Sequence, residues 1–182
     1  AFDKYIHDQT RKKHLTHATF LLANPNDIEP AIKKTVTICN NVALVRDMVN
    51  ENADIMNPNN IEDIAKKIAK THKLTCTVLD EKKLKQIGMN LLLAVGKGSS
   101  YPPRLIILEY HGNKKSRERT ALLGKGITFD SGGLNIKQTL FIENMKMDMA
   151  GAATVIGTIK TAAELRLPHN IIGVIPCAEN AV

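Results

Sequence analysis

RLIILEY, Arg104 to Tyr110, is the stretch on which the fold turns. Its apolar residues Leu105, Ile106, Ile107 and Leu108 follow one another without a polar break. A strand with one wet face alternates, whereas an unbroken apolar run belongs in a sheet covered on both faces. IIGVIPC (171–177) has the same character, and LTCTVLD (74–80) and Thr120–Leu123 read as further strands. Between them lie helical patterns. Ile28, Ile32, Val36, Val42, Val45 and Val49 recur at helical spacing and predict one long helix. IEDIAKKIAKTH (61–72) predicts a second, with Asn60 as its N-cap and Ile61, Ile64, Ala65 and Ile68 as its buried stripe. EKKLKQIG is a short helix stopped by Gly88, and residues 150–166 form a helix with a small-residue face. The alternation gives an α/β class, with a largely parallel sheet flanked by helices. Ahead of these, HLTHATFLLA (14–23) reads as a strand and the following NPND as a helix start.

The 182 residues are 43% hydrophobic, enough for a packed core, with 4% aromatics and no Trp. Lysine and arginine total 25 against 18 acidic residues, a net charge of +7. The excess is scattered as KK pairs and is not interleaved with aromatics. It reads as solvated faces rather than a nucleic-acid surface. Cys39, Cys76 and Cys177 form no C-x-x-C pair, which argues against a thiolate zinc site and fits a reducing, cytoplasmic setting. No stretch is long and apolar enough to span a bilayer.

The chemistry concentrates in GKGITFDSGGLNIK, Gly124 to Lys137, followed by MKMDMAGAA, Met145 to Ala153. Neither G-x-x-x-x-G-K-[ST] nor G-x-G-x-x-G is present, so this is no phosphate loop of known pattern. The other GKG, Gly96–Gly98, reads as a turn. Asp130 and Asp148 are hard oxygen ligands suited to Zn²⁺, Mn²⁺ or Mg²⁺. A lysine amine ligates a metal only when deprotonated, and a nearby cation favours that state. Gly132 and Gly133 let backbone approach closely. A lysine a turn beyond, Lys137, can stay protonated and serve a developing oxyanion. The six histidines lack H-E-x-x-H spacing and none is tied to Ser131.

These two segments together resemble the signature of the leucyl aminopeptidases, also called cytosol aminopeptidases, of the M17 metallopeptidase family. The resemblance extends to RDMVNENADIMNP (46–58), GMNLLLAVGKGSSYPPRLIILEY (88–110) and HNIIGVIPCAEN (169–180). It implies that Lys125, Asp130 and Asp148 are ligands of a two-metal centre of Zn, Mn or Mg, with Asp130 bridging. It implies that Lys137 is catalytic and polarises the scissile carbonyl, and that Met145 lines the pocket for the substrate's first side chain. The activity implied is removal of N-terminal amino acids, leucine-like ones preferred, from peptides with a free N-terminus, by metal-activated water in a cytoplasmic homohexamer.

The family's Asn-Thr-Asp-Ala-Glu-Gly-Arg motif, source of a further aspartate, a glutamate and an arginine, does not occur in these 182 residues. The expected organisation is therefore the end of an N-terminal domain (1–23), a linker helix (24–50) and the first half of a catalytic domain (51–182). On that view the polypeptide alone is inactive. Two rival expectations are an inert scaffold of such an enzyme and a nucleotide-binding α/β module.

Overall fold

The computed structural model describes residues 2–7, 15–23 and 28–182. Helix α1, Glu29–Asn50, carries Glu29 and Pro30 in its first turn, where a negative charge suits the dipole and a missing N–H costs nothing. Met48 and Asn41 are buried on it, whereas Ile32, Val36 and Val42 remain exposed. Asn41 is satisfied by Thr37 O (3.0 Å), Glu164 (2.6 Å) and Lys160 (2.7 Å), which ties α1 to a later helix.

Helix α2, Pro58–His72, begins earlier than its sequence suggests. The N-cap is Asn57, not Asn60: its extended backbone lets the side chain accept from Asn59 N and Asn60 N at 3.1 and 3.3 Å. Pro58 then occupies the first helical position, where its lack of an N–H is harmless. Ile61, Ala65 and Ile68 are buried as the stripe predicts, with Ile64 half-buried.

The strands are β1 (Thr75–Leu79), β2 (Arg104–His111), β3 (Thr120–Leu123), β4 (Gly126–Asp130) and β5 (Asn170–Asn180). β5 is central. β2 pairs with it antiparallel, from Arg104↔Cys177 to His111↔Asn170, and β1 lies antiparallel outside β2. Along its other edge β3 and then β4 pair with β5 in parallel. The α/β sheet with flanking helices is as expected, but its pairing is mixed where a largely parallel sheet was expected. An apolar run reports burial on both faces, which either strand direction provides.

Helices α3 (Glu81–Gln86), α4 (Asn90–Val95), α5 (Thr139–Ile142) and α6 (Ala150–Glu164) complete the set. One core cluster joins Ile106, Leu108, Ile175 and Cys177 of the sheet to Met149, Ile156 and Ile159, to Ile61 and Ala65 of α2, and to Met48. Leu105, alternate to Ile106, is buried as well, and α3 supplies the fully buried Leu84.

Two readings need correction. Residues 15–23 form no strand, and Leu15, Phe20 and Leu21 are exposed. Among the described residues no strand runs beside this segment to form a ladder. Strand β4 lies inside the glycine-rich stretch Gly124–Lys137, where no strand was expected. The NPND signal falls outside the described residues.

Candidate metal and catalytic site

β4 runs parallel to the second half of β5, with Gly126 beside Cys177 and Asp130 beside Asn180. A bulge between Ile127 and Asp130 shifts the register just before the aspartate. Bulges re-aim side chains, and this one lies where the candidate ligand leaves the sheet. Asp130 is thus at the carboxyl ends of two parallel strands, the usual place for ligands in such sheets.

Its carboxylate is heavily furnished. Oδ1 accepts from the Asn180 amide at 2.7 Å and from Gly132 N at 3.1 Å. Oδ2 accepts from Lys137 Nζ at 2.7 Å. Burial pushes this carboxyl up, but the Lys137, Asn180 and Gly132 donors outweigh it and hold Asp130 below the usual carboxylate range. Gly132 and Gly133, with φ of +94° and +63°, turn the chain back. Lys137 N then donates to Ser131 O at 2.8 Å, which returns the Lys137 side chain to Asp130.

Lys137 Nζ also lies 2.9 Å from Met145 Sδ. Met145 opens a single 3₁₀ turn, Met145–Met147, that packs against β4 and leads into Asp148. The turn is anchored from outside as well: Lys146 Nζ donates to Asn50 O, the last residue of α1, at 2.7 Å.

Lys125 Nζ is 2.8 Å from Asp148 Oδ2. That contact lacks hydrogen-bond direction, so Asp148 Oδ2 is buried without a hydrogen bond. We read the pair as a charge contact that leaves the oxygen's lone pairs unspent. Behind it, Ala152 N donates to Lys125 O at 2.8 Å, and a Cβ on Gly151 would come within 2.9 Å of Lys125 N. The first turn of α6 can therefore press against Lys125 only through a glycine.

The residues singled out in the sequence thus form two Lys–Asp pairs, Lys137–Asp130 and Lys125–Asp148, linked through Met145 and its turn. Two carboxylates, each beside a lysine ammonium, are the hard oxygen donors that a divalent metal takes. Among the described residues no three His, Cys, Asp or Glu side chains cluster as a metal site. Asn180 and Lys146 were not picked out from sequence. The only signal for Asn180 is its place at the end of a strand leading to the site. Cavity size does not mark this place: a cavity of about 550 Å³ lies at the amino end of β5, lined by Asn113, Ser116, Arg119 and His169 among others.

Fold and site together define an α/β domain that presents lysine–carboxylate pairs at the carboxyl ends of parallel strands. The chain belongs to the cytosol aminopeptidase family, whose catalytic domain matches residues 43–182. It is 44% identical over 183 residues to the cytosol aminopeptidase of Pseudomonas aeruginosa, covering 98% of this chain and 37% of that protein. The chain spans about 37% of the length of the curated relatives it matches. Among solved structures it resembles the bottromycin maturation enzyme BotP in complex with Mn, with a TM-score of 0.78 and 36% identity over 87% of this chain and 34% of that one. It also resembles the cytosol aminopeptidase of Coxiella burnetii, with a TM-score of 0.76 and 34% identity over 82% of this chain and 32% of that one.

Proposed function

We propose that these residues supply the first half of the catalytic domain of a two-metal aminopeptidase. The enzyme removes N-terminal amino acids, leucine-like ones preferred, from peptides with a free N-terminus. The observation that carries this reading is the paired geometry Lys137–Asp130 and Lys125–Asp148 within the segment that matches the family. Residues 1–23 belong to the end of an N-terminal domain, 24–50 to a linker helix and 51–182 to the catalytic half-domain. A cytoplasmic homohexamer is the assembly that goes with this reading.

Lys125, Asp130 and Asp148 would hold the ions, Asp130 serving both. Zn and Mn are the leading candidates and Mg the third, and the Mn in BotP supports a divalent ion. When bound, such ions lower the pKa of water and polarise carbonyls. The chain's own part is positioning. Asn180 and Gly132 hold Asp130 in one orientation. The Lys137 ammonium, braced by Asp130 and Met145, is a donor for the charge that builds on the scissile carbonyl oxygen. Met145 presents an adaptable thioether beside that ammonium, suited to an apolar side chain of the substrate's first residue.

Lys137→Ala in the whole gene product should lower kcat for leucine amide about 10²–10³-fold, the usual cost of one oxyanion donor. Metal content should change little. Unchanged turnover would remove Lys137 from the mechanism. The polypeptide 1–182 by itself should not turn over leucine amide with added Zn²⁺ or Mn²⁺, because one lysine and two carboxylates leave two metals short of fixed ligands. Turnover by it would show the ligand set to be wrong.

A further inference from the structure

We propose that Asn180 is a positioning residue for the Asp130 carboxylate and, on the reading above, for the metal that Asp130 holds. The two candidate carboxylates are furnished unequally. Asp148 Oδ2 takes no hydrogen bond, whereas Asp130 takes three, and the Asn180 amide at 2.7 Å is the only one of those from another strand. A carboxylate accepts and cannot donate, so the amide must turn its NH₂ toward Asp130.

The side chain is not needed to hold the strands together. That task falls to the backbone: Asn180 O accepts from Ser131 N and from Ser131 Oγ, each at 3.0 Å. What remains for the Asn180 side chain is the orientation of Asp130. Its other end is closely approached. Asn180 Oδ1 lies 2.7 Å from where a Cβ on Gly133 would stand, so the glycine loop passes directly over the amide. Between Gly133 and Asp130, the amide holds Oδ1 of the aspartate and leaves Oδ2 turned to Lys137. Outer-shell partners of this kind typically set metal affinity by about 10–100-fold.

The test compares Mn²⁺ affinity, by chelator competition, in the whole gene product and in its Asn180→Ala, Asn180→Leu, Ser131→Ala and Asp130→Asn variants. Leucine matches asparagine in shape but donates nothing. Asn180→Ala and Asn180→Leu should both weaken Mn²⁺ binding about 10–100-fold, while Ser131→Ala, which removes the hydroxyl's bonds to Asn180 O and Gly133 N but leaves the Asn180 amide on Asp130, stays near the unmodified value. Full affinity in Asn180→Leu, with affinity lost in Asp130→Asn, overturns this proposal alone. Full affinity in Asp130→Asn overturns it together with the metal assignment. A second measurement needs no variant: the Asn180 side-chain amide resonances should move on Zn²⁺ titration, and resonances that stay still through saturation overturn the proposal.

Discussion

Gly133→Ala tests the closeness of the glycine loop to the strand end. Gly133 has φ +63°, and a Cβ there would stand 2.7 Å from Asn180 Oδ1. Two costs follow. An L-residue in the left-handed region costs about 1–2 kcal/mol. Moving the amide away breaks its bond to the Asp130 carboxylate, and hydrogen bonds to charged groups contribute about 1.5–3 kcal/mol. Asp130 keeps Lys137 and Gly132, so no bare charge is buried and the total is about 2.5–5 kcal/mol. The assay is urea unfolding of the four members of a double-mutant cycle. In an Asn180→Ala background the obstructing atom is absent, and Gly133→Ala should cost only the backbone part, about 1–2 kcal/mol. A coupling of about 1.5–3 kcal/mol is expected. Equal costs in both backgrounds, within about 0.5 kcal/mol, would refute the contact and the reasoning built on it.

Arg104 donates to Glu62 (2.8 Å), Asn59 (3.1 Å) and the carbonyls of Pro102 and Pro103, pinning α2 to β2. Lysine cannot reproduce that fork, so Arg104→Lys should lower the unfolding free energy by about 1–3 kcal/mol, read from the urea midpoint. Burial pushes the Cys177 thiol up to about 12, so at pH 8 an aromatic disulfide should label exposed Cys39 at once and leave Cys177 untouched until unfolding. Glu51 is pushed up by burial but held below the usual carboxylate range by Lys4 and Tyr5. Its contribution is complete above the ordinary carboxylate pKa and is lost as pH falls through the lower folded value. Glu51→Gln should therefore flatten the acid limb of the stability curve below about pH 4.3.

What was legible in the sequence was whatever rests on local pattern. The spacing of apolar residues gave α1 and the buried stripe of α2, and the apolar runs gave β2 and β5. The residues proposed for the site were singled out through the resemblance of two neighbouring segments, and Lys125, Asp130, Lys137, Met145 and Asp148 all lie within 24 positions of one another. Strand direction was not, because burial on both faces does not record which neighbour lies alongside. β4 was hidden because its five residues sit in a glycine-rich stretch with no apolar run to mark a strand, yet β5 offers Ile127 a partner in Ala178. Asn57 was missed as the cap because the apolar pattern starts only at Ile61, one turn after the helix begins at Pro58. Asn180 could not be found from pattern, since its partner Asp130 lies 50 positions away.

The central strand is also the last of the five to leave the ribosome. β2 ends at His111 and β5 begins at Asn170, a gap of 59 residues, or roughly 3–12 s of synthesis at common rates. Through that interval β1 and β2 can form a hairpin-like pair, but the inner edge of β2 has no neighbour, and β3 and β4 have none that is described. Order in time therefore runs opposite to order in space: the strand that organises Asp130 and its surroundings is made after every strand it organises. A newly made chain carries its candidate site residues before it carries their frame, and its apolar strands are most open to wrong pairing in the seconds before Asn170–Asn180 emerges.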